Sequence, residues 1–176
     1  LMHGVSGSGK TWLSQQLLER IGAVRLRSDV ERKRLFGLDV LDDSRGIAGG
    51  IYTEAASART FQRLRDLAQG LLAAGHTVIV DATFLKQAHR APFIQLAETL
   101  SAPLHILALH ADEALLRQRI RARSARGADA SEADLAVLDM QLQTVEPFSA
   151  AEMAYLIPCQ AGLAIDWPDL VARLGR

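Results

Sequence analysis

The chain has 176 residues, 49% of them hydrophobic and 23% charged, with zero formal net charge and one cysteine, Cys159. That length fits one domain, 1–176, with enough apolar side chain for a sizeable core. The composition excludes a disulfide-stapled scaffold and a chain-wide basic field for nucleic acid; no apolar run is long enough for a transmembrane helix. A membrane partner is not expected, and a lone cysteine fits a cytoplasmic setting.

Leu1-Met2-His3 reads as the end of a strand. A parallel strand normally runs about 5–6 residues, so the expectation is a first strand cut short in a piece of a longer polypeptide. Next comes Gly4-Val5-Ser6-Gly7-Ser8-Gly9-Lys10-Thr11, a complete G-x-x-x-x-G-K-[ST] phosphate loop, with Trp12 closing the nucleotide-binding stretch. The glycines let successive N–H groups point inward at an anion. Lys10 reaches the β- and γ-phosphates, the Thr11 hydroxyl is a Mg²⁺ ligand, and the helix that follows aims its positive end at the same place.

That helix is expected over about Lys10–Ile21, with Leu13, Leu17, Leu18 and Ile21 on one face and Gly22 as its stop. Ala23–Arg27 reads as a strand, and Ser28-Asp29 as the cap of a short helix ending at Gly37. A polar loop over 37–50 leads to Thr53, the cap of a long helix closed by Gly75. Thr77–Asp81 is a β-branched run read as a strand buried on both faces. A helix over about Ala88–Leu100, a strand over Leu104–Leu109 and an arginine-rich helix from Asp112 to about Ala125 follow. Arg126–Ala130 breaks the pattern, and Ser131–Asp134 restarts it as a helix to about Val145. Ala154–Ile157 is a weaker strand, and Asp166-Trp167-Pro168 opens a last helix ended by Gly175. Alternating strands and helices argue for an α/β fold with a parallel sheet.

Asp81 ends its strand at the sheet edge where ligands bind in such folds. It is the candidate Walker-B acid, a Mg²⁺ ligand with Thr11; Thr83, two residues on, is a candidate phosphate or substrate contact. Asp29 follows the second strand at the same edge. It reads equally as the carboxylate that takes a proton from an acceptor hydroxyl and as a helix cap. Residues 117–126 hold five arginines; Arg119 and Arg123 share a helix face, with Arg126 further on, where a closing lid over a transferring phosphoryl group would sit. Tyr52, Glu54 and Arg59 open the long helix near an acceptor site, where a surface or packing role is the stronger reading, and Lys86 and Arg90 follow Asp81 within reach of an anionic substrate group, with a surface role equally open. Trp12, Phe61 and Phe93 are expected in the core. No Asn-Lys-x-Asp stretch reads guanine, so ATP is favoured over GTP.

Together, Gly4–Thr11, Leu26-Arg27-Ser28-Asp29-Val30-Glu31-Arg32-Lys33-Arg34, Val78-Ile79-Val80-Asp81-Ala82-Thr83-Phe84 and Gly127-Ala128-Asp129-Ala130-Ser131 resemble the bacterial P-loop predicted-kinase (AAA-type ATP-binding) family. It is related to polynucleotide kinases, gluconate kinases and zeta toxins and is found alone or fused behind an aminoglycoside-phosphotransferase-like domain. The resemblance implies a P-loop NTPase of kinase type: a parallel five-stranded sheet in the order 2-3-1-4-5, flanked by helices, with an arginine-rich lid. It implies that Asp29 matches the proton-accepting Asp of polynucleotide kinases and zeta toxins, and that Arg123 matches the lid arginine. The function expected is phosphoryl transfer from ATP-Mg²⁺ to a hydroxyl of a small molecule: a sugar, sugar acid, nucleotide or aminoglycoside. The alternatives are an ATP-binding regulatory module and a polynucleotide 5′-hydroxyl kinase, the latter disfavoured by the neutral charge.

Overall fold

The computed structural model describes residues 1–44, 47, 50–126 and 133–175. Its elements are β1 (Met2–His3), α1 (Lys10–Ile21), β2 (Val24–Arg27), α2 (Ser28–Leu35), α3 (Glu54–Ala73), β3 (Val78–Asp81), α4 (Gln87–Thr99), β4 (Ile106–His110), α5 (Glu113–Arg126), α6 (Leu135–Thr144), β5 (Leu156–Gln160) and α7 (Trp167–Leu174). The five strands form one sheet in the order β2-β3-β1-β4-β5, and every pairing is parallel. The expected strand order is therefore the observed one.

Alternation along the strands divides the core in two. Ile79 packs with Met2, Leu13, Leu17, Leu107, Leu109, Ile157 and Leu170, the layer under α1 and α7. Its neighbour Val80 packs with Leu26, Leu64, Ala68, Phe84, Phe93 and Leu96, the layer under α3 and α4. A smaller cluster of Leu116, Ile120 and Leu138 ties α5 to α6. Thr53 caps α3 by accepting from the Ala56 N–H, Asp134 caps α6 through Val137, and Asp166 caps α7 through Asp169. Among the described residues no helix is long and apolar enough to cross a membrane.

Three local readings change. Trp12 is not in the core: it is 58% exposed, because the loop delivers it to the outward side of α1, where its ring lies 6.0 Å from that of Trp167. The last strand runs Leu156–Gln160 rather than Ala154–Ile157, since Glu152–Tyr155 form a 3₁₀ turn before it. Neither Ser28 nor Asp29 caps α2: Arg27 occupies the cap position in extended conformation, and Ser28 and Asp29 lie inside the first turn.

The register sets up the chemistry. Met2, the first residue of the central strand, stands opposite Asp81 on one side and Leu107 on the other, and Arg27 stands opposite Asp81. The carboxyl ends of β1, β2 and β3 therefore finish together, with Gly4, Ser28 and Ala82 as their next residues.

Candidate active site

The loop leaves β1 at Gly4, whose φ of 143° lies outside the range that side chains favour. A Cβ there would stand 2.8 Å from the Leu109 carbonyl oxygen, so the strand-to-loop turn requires glycine. The Gly4 N–H donates to the Thr83 carbonyl at 3.1 Å, which stitches the loop to the residues after β3. Gly9, with φ 99°, precedes α1. Lys10 Nζ donates to the Gly4 and Val5 carbonyls at 2.8 and 2.9 Å. Burial lowers the Lys10 ammonium to about 8, while the charges of Asp81 and Asp29 oppose that shift and that of Arg123 reinforces it. One ammonium thus feels both candidate carboxylates and a candidate lid arginine.

Asp81 is 5% exposed. Its Oδ2 accepts from Ser14 Oγ at 2.9 Å, and Ser14 Oγ in turn accepts from Arg25 Nη1 at 3.1 Å. Burial pushes the Asp81 carboxyl up; Lys10 and the Ser14 hydroxyl pull it back, and the Asp29 charge adds to the rise. Asp29 is half-buried: Oδ2 accepts from Arg27 Nη2 at 2.7 Å, and Oδ1 accepts from the Val30 N–H at 2.9 Å. The Arg27 guanidinium thereby fixes the direction of the carboxyl. Thr11 is exposed at the start of α1, and Thr83 is half-buried beside Gly4.

Residues Thr11 and Asp81 fit a Mg²⁺ ion by donor type, since Mg²⁺ is commonly held by one or two protein oxygens completed by substrate phosphates and water. No group of three or more His, Cys, Asp and Glu capable of holding a metal exists among the described residues. A divalent ion here would depend on phosphate oxygens for its remaining ligands.

From α5, Arg119 Nη1 donates to the Gly7 carbonyl at 3.1 Å, directly over the loop. Arg123 donates to the Ala133 carbonyl. The side chain of Arg126 and the stretch Gly127–Ser131 lie outside the described residues. On the α2–α3 side, Arg32 is 8% exposed, donates to the Ile51 carbonyl at 2.9 Å and stacks 5.1 Å from the centre of the Tyr52 ring. Burial lowers Arg32, and the Tyr52 and Asp29 charges oppose this. Arg59 is exposed, over the Phe36 ring at 5.8 Å.

Arg90 is removed from the substrate set. It is 0% exposed; Nε and Nη2 donate to the Glu152 carboxylate at 2.6 and 3.1 Å, and Nη1 donates to the Phe84 and Leu85 carbonyls at 3.1 and 3.2 Å. Its guanidinium is committed to holding the 146–152 segment against α4. Three contributors had no legible signal. Ser14 and Arg25 read as ordinary helix and strand residues, and Gln141, which accepts from the Ser6 N–H at 2.7 Å, lies 135 residues away in the chain.

A parallel sheet in this order, with a phosphate loop leaving its central strand, defines the kinase-type P-loop fold. The AAA domain family model matches residues 1–148, and the chain belongs to that family. An uncharacterized protein of Mycobacterium tuberculosis (strain H37Rv) is 30% identical over 132 residues, 74% of this chain; the chain spans only 26% of that protein's length. Solved structures with the same fold include a sugar kinase from Janibacter sp. HTCC2649, 21% identical with a TM-score of 0.69, over 98% of this chain and 88% of that one. A gluconokinase from Sinorhizobium meliloti 1021 is 22% identical with a TM-score of 0.60, over 98% and 84% of the two chains. The Mycobacterium tuberculosis APS kinase, solved in complex with AMPPNP and APS, is 21% identical with a TM-score of 0.62, over 98% and 94%.

Proposed function

We propose that the protein is an ATP-dependent kinase that phosphorylates a hydroxyl of a small molecule. The observation that carries this reading is geometric: the phosphate loop that Lys10 folds back over stands beside two carboxylates at one end of the sheet, Asp81 ending β3 and Asp29 in the first turn of α2 just after Arg27, which pairs opposite Asp81. The charges of both, and of Arg123 from α5, act on the Lys10 ammonium. A nucleotide-binding loop needs one acid for its metal; the second, at the edge facing α2 and α3, suits a nucleophile. The kinase-type fold and the kinases among its structural neighbours support the same class.

In this reading Lys10 and the loop N–H groups hold the β- and γ-phosphates. Thr11 and Asp81 would hold the Mg²⁺ ion, which would supply charge neutralisation for the β- and γ-phosphates. Asp29, oriented by Arg27, accepts the acceptor's hydroxyl proton as its oxygen bonds to the γ-phosphorus. The bond to the β–γ bridging oxygen breaks, and ADP leaves carrying the negative charge. Arg119 and Arg123, with Arg126, neutralise the equatorial oxygens during transfer. Tyr52, Arg59 and Thr83 are the proposed substrate-side contacts. Positioning and charge neutralisation supply the rate, with no covalent enzyme intermediate.

The test is γ-labelled ATP with Mg²⁺ against a mixed pool of sugars, sugar acids, nucleotides and aminoglycosides, with Lys10→Ala as the blank. Label on a small hydroxyl compound with the wild type alone supports the reading. ATP binding with no acceptor stimulating turnover above water refutes it in favour of a regulatory nucleotide module, a reading that suits relatives about three times this length.

A further inference from the structure

The Ser6 N–H, in the middle of the phosphate loop, donates to Gln141 Oε1 at 2.7 Å. The carbonyl of the same Val5–Ser6 peptide accepts from Lys10 Nζ at 2.9 Å. Lys10 is the group that reaches the β- and γ-phosphates, so this peptide lies at the terminal-phosphate end of the loop. N–H groups of such loops are anion donors, yet this one is matched by a side chain from α6, while Ser6 itself is only 8% exposed. The contact is built into the fold. Leu138, one turn before Gln141, packs on Leu116 and Ile120 of α5, and Asp139 pairs with Arg117. From α5, Arg119 bonds the next loop carbonyl, that of Gly7. The two helices therefore grip adjacent loop residues, one by accepting from the backbone and one by donating to it.

We propose that Gln141 is a specificity-determining residue that distinguishes a nucleoside triphosphate from a diphosphate: its carboxamide oxygen takes, on the Ser6 N–H, the place of a terminal phosphoryl oxygen. The inference rests on the nucleotide-binding reading above. A triphosphate competes for that N–H and displaces Gln141, which loosens α6 from the loop; a diphosphate does not reach it. The exchange runs downhill because a hydrogen bond to an ionised phosphoryl oxygen is roughly twice as strong as one to a neutral amide oxygen. Asparagine or glutamine at this place offers a neutral acceptor that holds the loop and yields to charge, whereas a carboxylate would hold it against the phosphate.

The experiment is calorimetric binding of Mg-AMPPNP and Mg-ADP to the wild type, Gln141→Leu and Gln141→Glu, with hydrogen exchange across residues 135–144 of the wild type. Removing the competitor in Gln141→Leu raises the AMPPNP-to-ADP affinity ratio by about 2- to 10-fold, the worth of one net hydrogen bond. Gln141→Glu lowers that ratio by about tenfold, through a stronger competing acceptor and repulsion of the terminal phosphoryl group. ADP affinity stays within about twofold in all three. The α6 amides of the wild type exchange faster with AMPPNP than with ADP; this readout needs no substitution and stands even if a variant folds poorly. Equal ratios in the three proteins, a reversed order, or identical exchange with both nucleotides overturns the inference while leaving nucleotide binding in place. A wild type that binds neither nucleotide overturns this inference and the functional reading together.

Discussion

Replacing Arg90 by alanine removes the largest fully buried polar side chain of the protein's described core. Its guanidinium makes two bonds to Glu152 and others to the carbonyls of Phe84, Leu85 and Pro147, and lies 4.8 Å from the centre of the Phe148 ring. Without it, the Glu152 side chain, 4% exposed, becomes a buried carboxylate without its counterion. Breaking a buried pair from one side costs about 3–5 kcal/mol. For a domain of this size that lowers the melting temperature by roughly 6–20 °C. Replacing both Arg90 and Glu152 by leucine costs less than Arg90→Ala alone, since no charge is left stranded. The pair also writes a pH signature. Hydrogen bonding to Arg90 holds the Glu152 carboxyl down to about 2 from its ordinary 4.5. A carboxyl depressed on folding contributes stability above its unfolded value and loses that contribution as pH falls from about 4.5 towards 2. Urea unfolding from pH 7 to pH 2.5 therefore shows an acid limb in the wild type that Arg90→Ala flattens. The nucleotide affinity of Arg90→Ala, measured below its melting range, stays within about threefold of wild type. A variant within about 1 kcal/mol of wild-type stability, with substrate binding lost instead, would refute this account and return Arg90 to the acceptor site.

Two further outcomes follow from the loop and from α5. The free protein's Lys10 loses its proton through about pH 8, and phosphate binds the protonated form. Because its proton is released at lower pH than that of an ordinary lysine, AMPPNP affinity falls about tenfold between pH 7 and pH 9; calorimetry at the two values checks this, and a flat profile contradicts the burial of the ammonium. Arg119→Ala, which removes the donor over Gly7, lowers the rate of phosphoryl transfer by about 10²-fold. It changes ADP affinity far less; single-turnover kinetics beside ADP titration separates the two effects.

What was legible in the sequence is what local contacts demand. The phosphate loop could be read outright because Gly4 meets the Leu109 carbonyl and Lys10 must reach back over the loop, so residue type and spacing are tied. The two-sided burial of Val78–Asp81 was visible in its β-branched run, and the carboxyl at its end followed. Strand order came from resemblance, since periodicity records which face a residue takes and not which strand lies beside it. The misreadings share a cause. Arg90 looks like a helix-surface cation until Glu152, 62 residues on, is folded beneath it. Trp12 looks like core by composition, yet its position on α1 is dictated by the loop before it. Gln141 carries no pattern of its own, because its role exists only where α6 meets Ser6. The cap reading of Asp29 failed for a backbone reason: α2 begins one residue earlier, at the end of β2, leaving the carboxyl to Arg27.

The central claim is that one sheet edge carries two carboxylates with separate tasks, Asp81 for the metal and Asp29 for the nucleophile. Asp29→Asn keeps the side chain's shape and removes the proton acceptor. The measurement is its nucleotide affinity together with its rate of label transfer from γ-labelled ATP to the acceptor found with the wild type. The account predicts AMPPNP affinity within about threefold of wild type and transfer slowed by about 10²–10⁴-fold. Transfer at the wild-type rate, or a loss of nucleotide affinity that matches the loss of rate, would contradict it.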